Sequence, residues 1–250
     1  MRIIGIIGGS GLENPDILKN PERIETDTPY GKPSSGLVKG TICGKEVVIL
    51  SRHGFDHSIP PTLVNNRANI WTLREAGCSA ILATTACGSL REEIGRGHIV
   101  FPDQFIDFTR LRKLTYFEEF TAGELKHTPM ADPFSPSLRK SLIEAAEDLK
   151  LNFHRKGTVI TIEGPRFSTR AESHMFRQWG GDVINMSTAP EVILANELGI
   201  SYAAIAMSTD YDCWKEDEEP VTWEDVISVF HKNVNNVTGL IVRAIEKIGE

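Results

Sequence analysis

Short apolar runs rich in β-branched residues alternate along the chain with stretches in which apolar residues recur every third and fourth position. The runs predict strands near 2–7, 37–42, 46–50, 79–85, 157–162, 182–185 and 200–208. The helical periods predict helices at about 61–77, 136–150, 169–179, 189–198 and 222–248. Two of these open on capping-box patterns, Thr169-x-x-Glu172 and Thr188-x-x-Glu191, in which a hydroxyl and a carboxylate each satisfy the other residue's backbone N–H. In the last helix Val226, Val229, Phe230, Val234, Val237, Leu240, Ile241, Ala244, Ile245 and Ile248 form one stripe, the pattern of a helix lying on a sheet. Strand–helix alternation of this kind implies an α/β fold. The stretch from Phe108 to Pro136 keeps no period and mixes aromatic, charged and proline residues; a long excursion of this sort is usually a lid, a binding loop or a subunit contact.

Composition narrows the class. At 250 residues the chain suits a single domain over 1–250, with 40% apolar and 24% charged residues, as in ordinary globular proteins. A formal charge of −7 speaks against a nucleic-acid groove. The densest basic stretch, Arg110-Leu111-Arg112-Lys113, reads as a solvated loop. The first apolar run is too short and too rich in glycine for a signal peptide or a membrane span, so a cytosolic protein is expected. Cys43, Cys78, Cys87 and Cys213 are scattered without a C-x-x-C, which predicts buried thiols and no zinc. His53 and His57 are four apart, but they lie beside Gly54 and ahead of Pro60 and Pro61, where a helical metal pair is not expected.

The chemistry-bearing residues gather at strand ends, where open α/β sheets bind ligands. The first strand runs into Gly8-Gly9-Ser10-Gly11, which is either a phosphate-touching turn or a plain strand-to-loop turn. It is not the dinucleotide fingerprint, because G-x-G-x-x-G needs a glycine at Asn14. Further runs end in Ser51-Arg52-His53-Gly54, in Thr85-Ala86-Cys87-Gly88-Ser89 and in Asn185-Met186-Ser187-Thr188. Arg52 offers a fork of donors for a tetrahedral oxyanion, Ser10, Thr85 and Ser187 offer hydroxyls, and Ala86 a backbone N–H. Ser187 also precedes a helix start, where unpaired N–H groups and the dipole favour an anion. The run 200–209 ends in Asp210 and Asp212. An Asp-x-Asp there is either a turn and cap device or a pair of carboxylates aimed at protonatable nitrogen.

Taken together, these four clusters, TIEGPRFSTRAES at 161–173 and TDYDCWKE at 209–216 resemble the purine nucleoside phosphorylase superfamily, and within it the 5′-methylthioadenosine phosphorylases. The resemblance spans nearly the whole chain. It implies a single-domain, three-layer fold with a mixed, twisted central sheet, assembled as a homotrimer with sites at subunit borders. It also implies phosphorolysis of methylthioadenosine to adenine and 5-methylthioribose 1-phosphate, with inorganic phosphate as co-substrate and no organic cofactor or metal. By the family's pattern Ser10, Arg52, His53, Thr85, Ala86 and Ser187 hold phosphate, Met186 contacts the ribose and Phe167 packs beside the base. Asp210 serves the purine N7 and Asp212 the 6-amino group. His127 aligns with a position supplied across a subunit border, and Trp223, Val226 and Ile227 with residues around the methylthio group. Two positions depart from the family: Ser187 stands where threonine is usual, and Trp223 where a smaller aliphatic residue is common. The competing expectations are a 6-oxopurine nucleoside phosphorylase and, in another class, a nucleoside sensor without catalysis.

Overall fold

The computed structural model describes residues 3–9, 17–218 and 222–249; within these the side chain of Trp223 is not described. Among the described residues eleven strands and five α-helices follow one another as β1 (Ile3–Gly8), β2 (Lys19–Ile24), β3 (Leu37–Ile42), β4 (Lys45–Ser51), α1 (Asn66–Glu75), β5 (Cys78–Ser89), β6 (Ile99–Val100), β7 (Gln104–Phe108), α2 (Pro136–Asp148), β8 (Phe153–His154), β9 (Thr158–Ile162), α3 (Arg170–Gln178), β10 (Val183–Asn185), α4 (Thr188–Glu197), β11 (Ser201–Asp210) and α5 (Trp223–Lys247).

All eleven strands join one mixed sheet with β5 at its fork. The first part of β5 runs parallel to β1 and β11. Its last residues, Gly88 and Ser89, meet β10 in antiparallel register on the other side, while Gly88 still faces Asp210 of β11. Because β4, β1, β5 and β11 are mutually parallel, their carboxyl ends point the same way, and the fork opens a space among them.

The expected alternation on the central strands is present and explains the three layers. Ile4, Ile6, Ala80, Leu82, Ala203, Ile205 and Met207 face α2 and the apolar stripe of α5. Ile7, Ile81, Ala83, Tyr202, Ala204 and Ala206 face the other way, onto α1 and α4. The seven strands and five helices expected from the pattern all form, within a few residues at their ends. The helix expected from 61 is preceded by a separate 3₁₀ turn, Pro61–Leu63, and α1 starts only after Asn65 caps Ala68 N–H. The polar edge strand β2, the two-residue β6 and β8, and β7 carry no apolar alternation strong enough to announce them. β2 holds Pro21, which an edge strand tolerates.

Three local expectations are corrected. The Thr169–Glu172 capping box forms, but the one expected at Thr188 does not: Ser187 is the N-cap residue, and Glu191 is drawn into the interior instead. A box not foreseen, Thr222 with Asp225, starts α5. The basic stretch at 110–113 is not simply solvated, because the Arg112 side chain is buried and donates through Nε to Glu163 Oε1 at 2.7 Å. Of the cysteines, Cys78 and Cys87 are buried, Cys213 is half-buried and Cys43 is exposed. No helix among the described residues is long and apolar enough to cross a membrane.

Candidate active site

A cavity of about 630 Å³ lies where β4, β5, β10 and β11 end, and its two ends differ in chemistry. At one end stand Arg52, His53, Thr85, Ala86 and Ser187; at the other stand Asp210 and Asp212; Met186, Phe167, Ile162, Ile184 and Val226 lie along the wall.

The hydroxyl end is built on Asn185, the last residue of β10. Its Nδ2 donates to Thr85 Oγ1 at 3.2 Å and to Thr188 Oγ1 at 2.6 Å, and its Oδ1 accepts from Thr161 Oγ1 at 3.0 Å. This buried net brings Thr85 Oγ1 and Ser187 Oγ within 3.2 Å of each other across 102 residues of chain. It also changes how the start of α4 can be used. The N–H groups of Ser187 and Thr188 reach Asn185 Oδ1 at 3.4 and 3.5 Å, and that of Ala189 donates to Thr161 Oγ1 at 3.1 Å. The helix start is therefore already satisfied from inside, and what it offers the cavity is the Ser187 hydroxyl.

Arg52 is 2% exposed and is held from two sides. Its Nε and Nη2 donate to the two carboxylate oxygens of Glu191 at 2.5 and 3.1 Å, and Nη1 donates to the Thr84 carbonyl at 2.8 Å. The open fork expected from the sequence is thus partly engaged within the protein. Gly9 makes this placement possible: a Cβ there would lie 2.5 Å from Arg52 Nη1 and 2.9 Å from Thr84 O, inside any tolerable contact. His53 Nδ1 lies 2.8 Å from the Ile59 carbonyl, and its ring stacks on His57 at 4.6 Å. That bond fixes Nδ1 as the protonated nitrogen.

At the other end the β11 register slips between Ser208 and Asp210, so that Asp210 stands opposite Gly88. A bulge of this type re-aims side chains at a strand end. Asp210 Oδ2 accepts from Thr209 Oγ1 at 2.8 Å and Oδ1 from Asp212 N–H at 2.7 Å. Asp212 adopts φ +52°, a left-handed conformation that Asp and Asn tolerate better than most residues. Both carboxyls are buried, 7% and 8% exposed. Burial raises the Asp210 carboxyl above its ordinary range, against the Thr209 hydroxyl and the Asp212 N–H. Asp212 is raised too, first by burial and then by the Asp210 charge, while the nearby Ser173 and Ser168 hydroxyls favour its charged form. Neither hydroxyl completes a hydrogen bond with it: Asp212 Oδ2 has no partner among the described residues. The Ser173 and Ser168 hydroxyls are likewise without a partner among the described residues.

The Phosphorylase superfamily pattern matches residues 3–246. The chain belongs to that superfamily. Among its relatives, the S-methyl-5′-thioadenosine phosphorylase of Xenopus tropicalis is 55% identical over 248 residues, covering 98% of this chain and 88% of the relative. That of Danio rerio is 53% identical over 247 residues, with the same two coverages of 98% and 88%. A methylthioadenosine phosphorylase from Schistosoma mansoni, solved with adenine, superposes with a TM-score of 0.94 at 42% identity, covering 100% of this chain and 92% of that one. A mutant adenosine/methylthioadenosine phosphorylase from the same organism, solved with methylthioadenosine, gives 0.93 at 41% identity, again covering 100% and 92%.

In this phosphorylase-superfamily chain the cavity brings together most of the residues expected from sequence: Arg52, His53, Thr85, Ala86, Ser187, Met186, Phe167, Asp210, Asp212 and Val226. Ser10 lies outside the described residues, and the side chain of Trp223 is not described. Ile227 is half-buried and does not line the cavity, since one helical step turns it about 100° from Val226. His127 is exposed on the 108–136 excursion with its ring against Phe120. Among the described residues no group of three or more His, Cys, Asp or Glu side chains could hold a metal ion. The loop carrying Phe167 is tied at both ends. Arg166 pairs with Glu172, which is thereby lowered to about 2, and Arg112 with Glu163. Sequence reasoning missed Asn185 and Glu191 as site-building groups. The only signal was a polar residue inside an apolar run, and that signal does not say what the residue touches.

Proposed function

We propose that the chain catalyses phosphorolysis of 5′-methylthioadenosine, giving adenine and 5-methylthioribose 1-phosphate. The observation that carries this reading is one cavity with an anion-suited end of hydroxyls and a guanidinium and, at its other end, the buried carboxylate pair Asp210 and Asp212. Relatives named for this reaction support it, as does the structural relative solved with methylthioadenosine.

Cleaving an N-glycosidic bond builds positive charge on the sugar and negative charge on the departing purine, as in other oxocarbenium-like displacements. Phosphate held by Arg52, His53, Thr85, Ala86 and Ser187 is nucleophile and counter-ion together. Fixing it in line with C1′ contributes roughly 7–11 kcal/mol under favourable geometry. A phosphate oxygen bonds to C1′ as the C1′–N9 bond breaks, and that electron pair moves into the purine. Asp210, protonated more readily because of its burial, donates to N7. The Asp212 carboxylate accepts from the 6-amino group, which an oxopurine lacks. Met186 lies against the ribose, Phe167 beside the base, and Val226 at the 5′ end.

The same reading places three copies together with His127 reaching a neighbour's 5′ pocket. Its exposure and the exposed Leu111 (76%), Phe120 (46%) and Leu125 (66%) of the same excursion support this; sedimentation would give the assembly. The deciding assay follows base release from methylthioadenosine, adenosine and inosine, with and without phosphate. Phosphate-dependent release with methylthioadenosine preferred is the expected result. Turnover of inosine at least as efficient as that of methylthioadenosine would assign the site to 6-oxopurines, and release without phosphate would make the enzyme a hydrolase.

A further inference from the structure

Glu191 is 1% exposed, one turn into α4, and belongs to no part of the proposed reaction. It is fully engaged. Oε1 accepts from Arg52 Nε at 2.5 Å, while Oε2 accepts from Arg52 Nη2 at 3.1 Å and from the Tyr202 hydroxyl at 2.7 Å. Tyr202 is itself 1% exposed and sits on β11, eight residues before Asp210. The Thr84 carbonyl on β5 takes Nη1 from another direction. The guanidinium is therefore located by α4, β11 and β5 together.

We propose that Glu191 is a positioning residue for the phosphate end of the cavity, acting through Arg52 and braced by Tyr202. The proposal rests on the phosphorolysis reading above. The planar edge made of Nε and Nη2 faces Glu191, so an anion in the cavity meets Arg52 through its Nη nitrogens and not through the bidentate edge that arginine usually offers oxyanions. The pair is neutral as a unit, so its contribution to a bound anion is directional more than electrostatic. Its position fits that role: Glu191 lies in the first turn of α4, where the helix favours an acid, and the residue capping that helix is Ser187. One rigid element thus sets the Ser187 hydroxyl and, through Glu191, the Arg52 guanidinium. Two effects compete on removing the carboxylate charge. Arg52 becomes a less screened cation, which favours phosphate, and it loses the fork that orients it. Orientation should win in the transition state, because Gln presents one acceptor and one donor to two N–H donors and must turn the guanidinium away.

The test uses full-length enzyme and inorganic phosphate. Glu191→Gln should lower kcat/KM for phosphate on the order of ten- to a hundredfold, the scale of a misplacement near 1 Å, while KM for methylthioadenosine stays within about twofold. Tyr202→Phe keeps the ring and removes only the 2.7 Å bond, so it should fold and lower kcat/KM for phosphate by roughly three- to tenfold. In an Arg52→Met background, where no guanidinium remains to be steered, Glu191→Gln should cost nothing further. An unchanged or increased kcat/KM for phosphate in Glu191→Gln, no effect of Tyr202→Phe, or an undiminished loss in the Arg52→Met background would each overturn the assignment. Failure of the phosphorolysis reading shows separately, as phosphate-independent base release by the unmutated enzyme.

Discussion

Replacing Asp212 by Asn tests the base end of the cavity with little disturbance elsewhere. Residue 212 sits at φ +52°, a conformation Asn adopts as easily as Asp, so the bulged strand end should keep its course. The Asp212 N–H that donates to Asp210 at 2.7 Å is also retained. What changes is the chemistry of the side chain, a carboxylate that can only accept becoming an amide that can also donate. A hydrogen bond involving a charged group contributes about 1.5–3 kcal/mol, so its loss should lower kcat/KM for methylthioadenosine by roughly ten- to 150-fold. The new amide can donate to a 6-oxo group, so the ratio between amino- and oxopurine nucleosides should shift by more than either change alone. Steady-state kinetics with methylthioadenosine and inosine measures this, and a ratio unmoved by the substitution would refute the assignment. Acid should act in the same direction on the unmutated enzyme, because a protonated Asp212 is a donor. Stability gives an independent reading. The folded state binds the Asp212 proton more tightly than the unfolded chain does, since burial raises that carboxyl. The cost of burying the ionised group is therefore present above the raised folded pKa and is relieved as pH falls through it. Asn carries no such cost, so the variant should melt higher than the parent at neutral pH, and the gap should close on acidification.

Gly88→Ala would put a Cβ 2.8 Å from Asp210 Oδ1, where ordinary contact begins at 3.4 Å, so the carboxyl must move by about 0.6 Å and kcat should fall on the order of tenfold; an unchanged kcat would mean that Asp210 tolerates displacement. Asp210→Asn should lower kcat by about 10²- to 10⁴-fold. In the parent, kcat should decline as pH rises through the raised Asp210 pKa, and a pH–rate profile with that limb still present in the variant would assign the proton to another group. Lys45→Met removes the Nζ that donates to the carbonyls of Ile245 and Glu246 at 2.9 Å and of Ile248 at 2.5 Å at the end of α5. The loss should be about 1–2 kcal/mol, lowering Tm by roughly 2–8 °C, and an unchanged melting curve would show the cap to be idle.

The strand and helix pattern was legible because most elements bury one face or one stripe, which writes a period of two or near 3.6 into the chain. The α5 stripe is the clearest case: Phe230, Val237, Leu240, Ile241, Ala244 and Ile245 are all buried where the spacing puts them. β2 was illegible for the converse reason. An exposed edge strand of sequence KNPERI needs no apolar side, and its pairing comes from backbone bonds to β3. Thr188-x-x-Glu191 shows a local rule overridden. The capping box satisfies free N–H groups, but Asn185 Oδ1 and Thr161 Oγ1 already take those of Ser187, Thr188 and Ala189, and a buried guanidinium claims the carboxylate more strongly.

By itself, then, the sequence determined which residue types stand at the ends of which strands: Arg52 after one run, Thr85 within another, Ser187 before a helix, Asp210 and Asp212 after the last. Such placement is local, since it depends only on where an apolar period stops. The tertiary structure alone decided what these groups do to one another. The fork of β5 sets Gly88 opposite Asp210, the Asn185 net brings Thr85 to Ser187, and Glu191 with Tyr202 turns the Arg52 fork inward. Contacts between residues tens to more than a hundred positions apart leave no periodic trace in a single chain, because their geometry comes from sheet register and helix packing and not from neighbours in sequence.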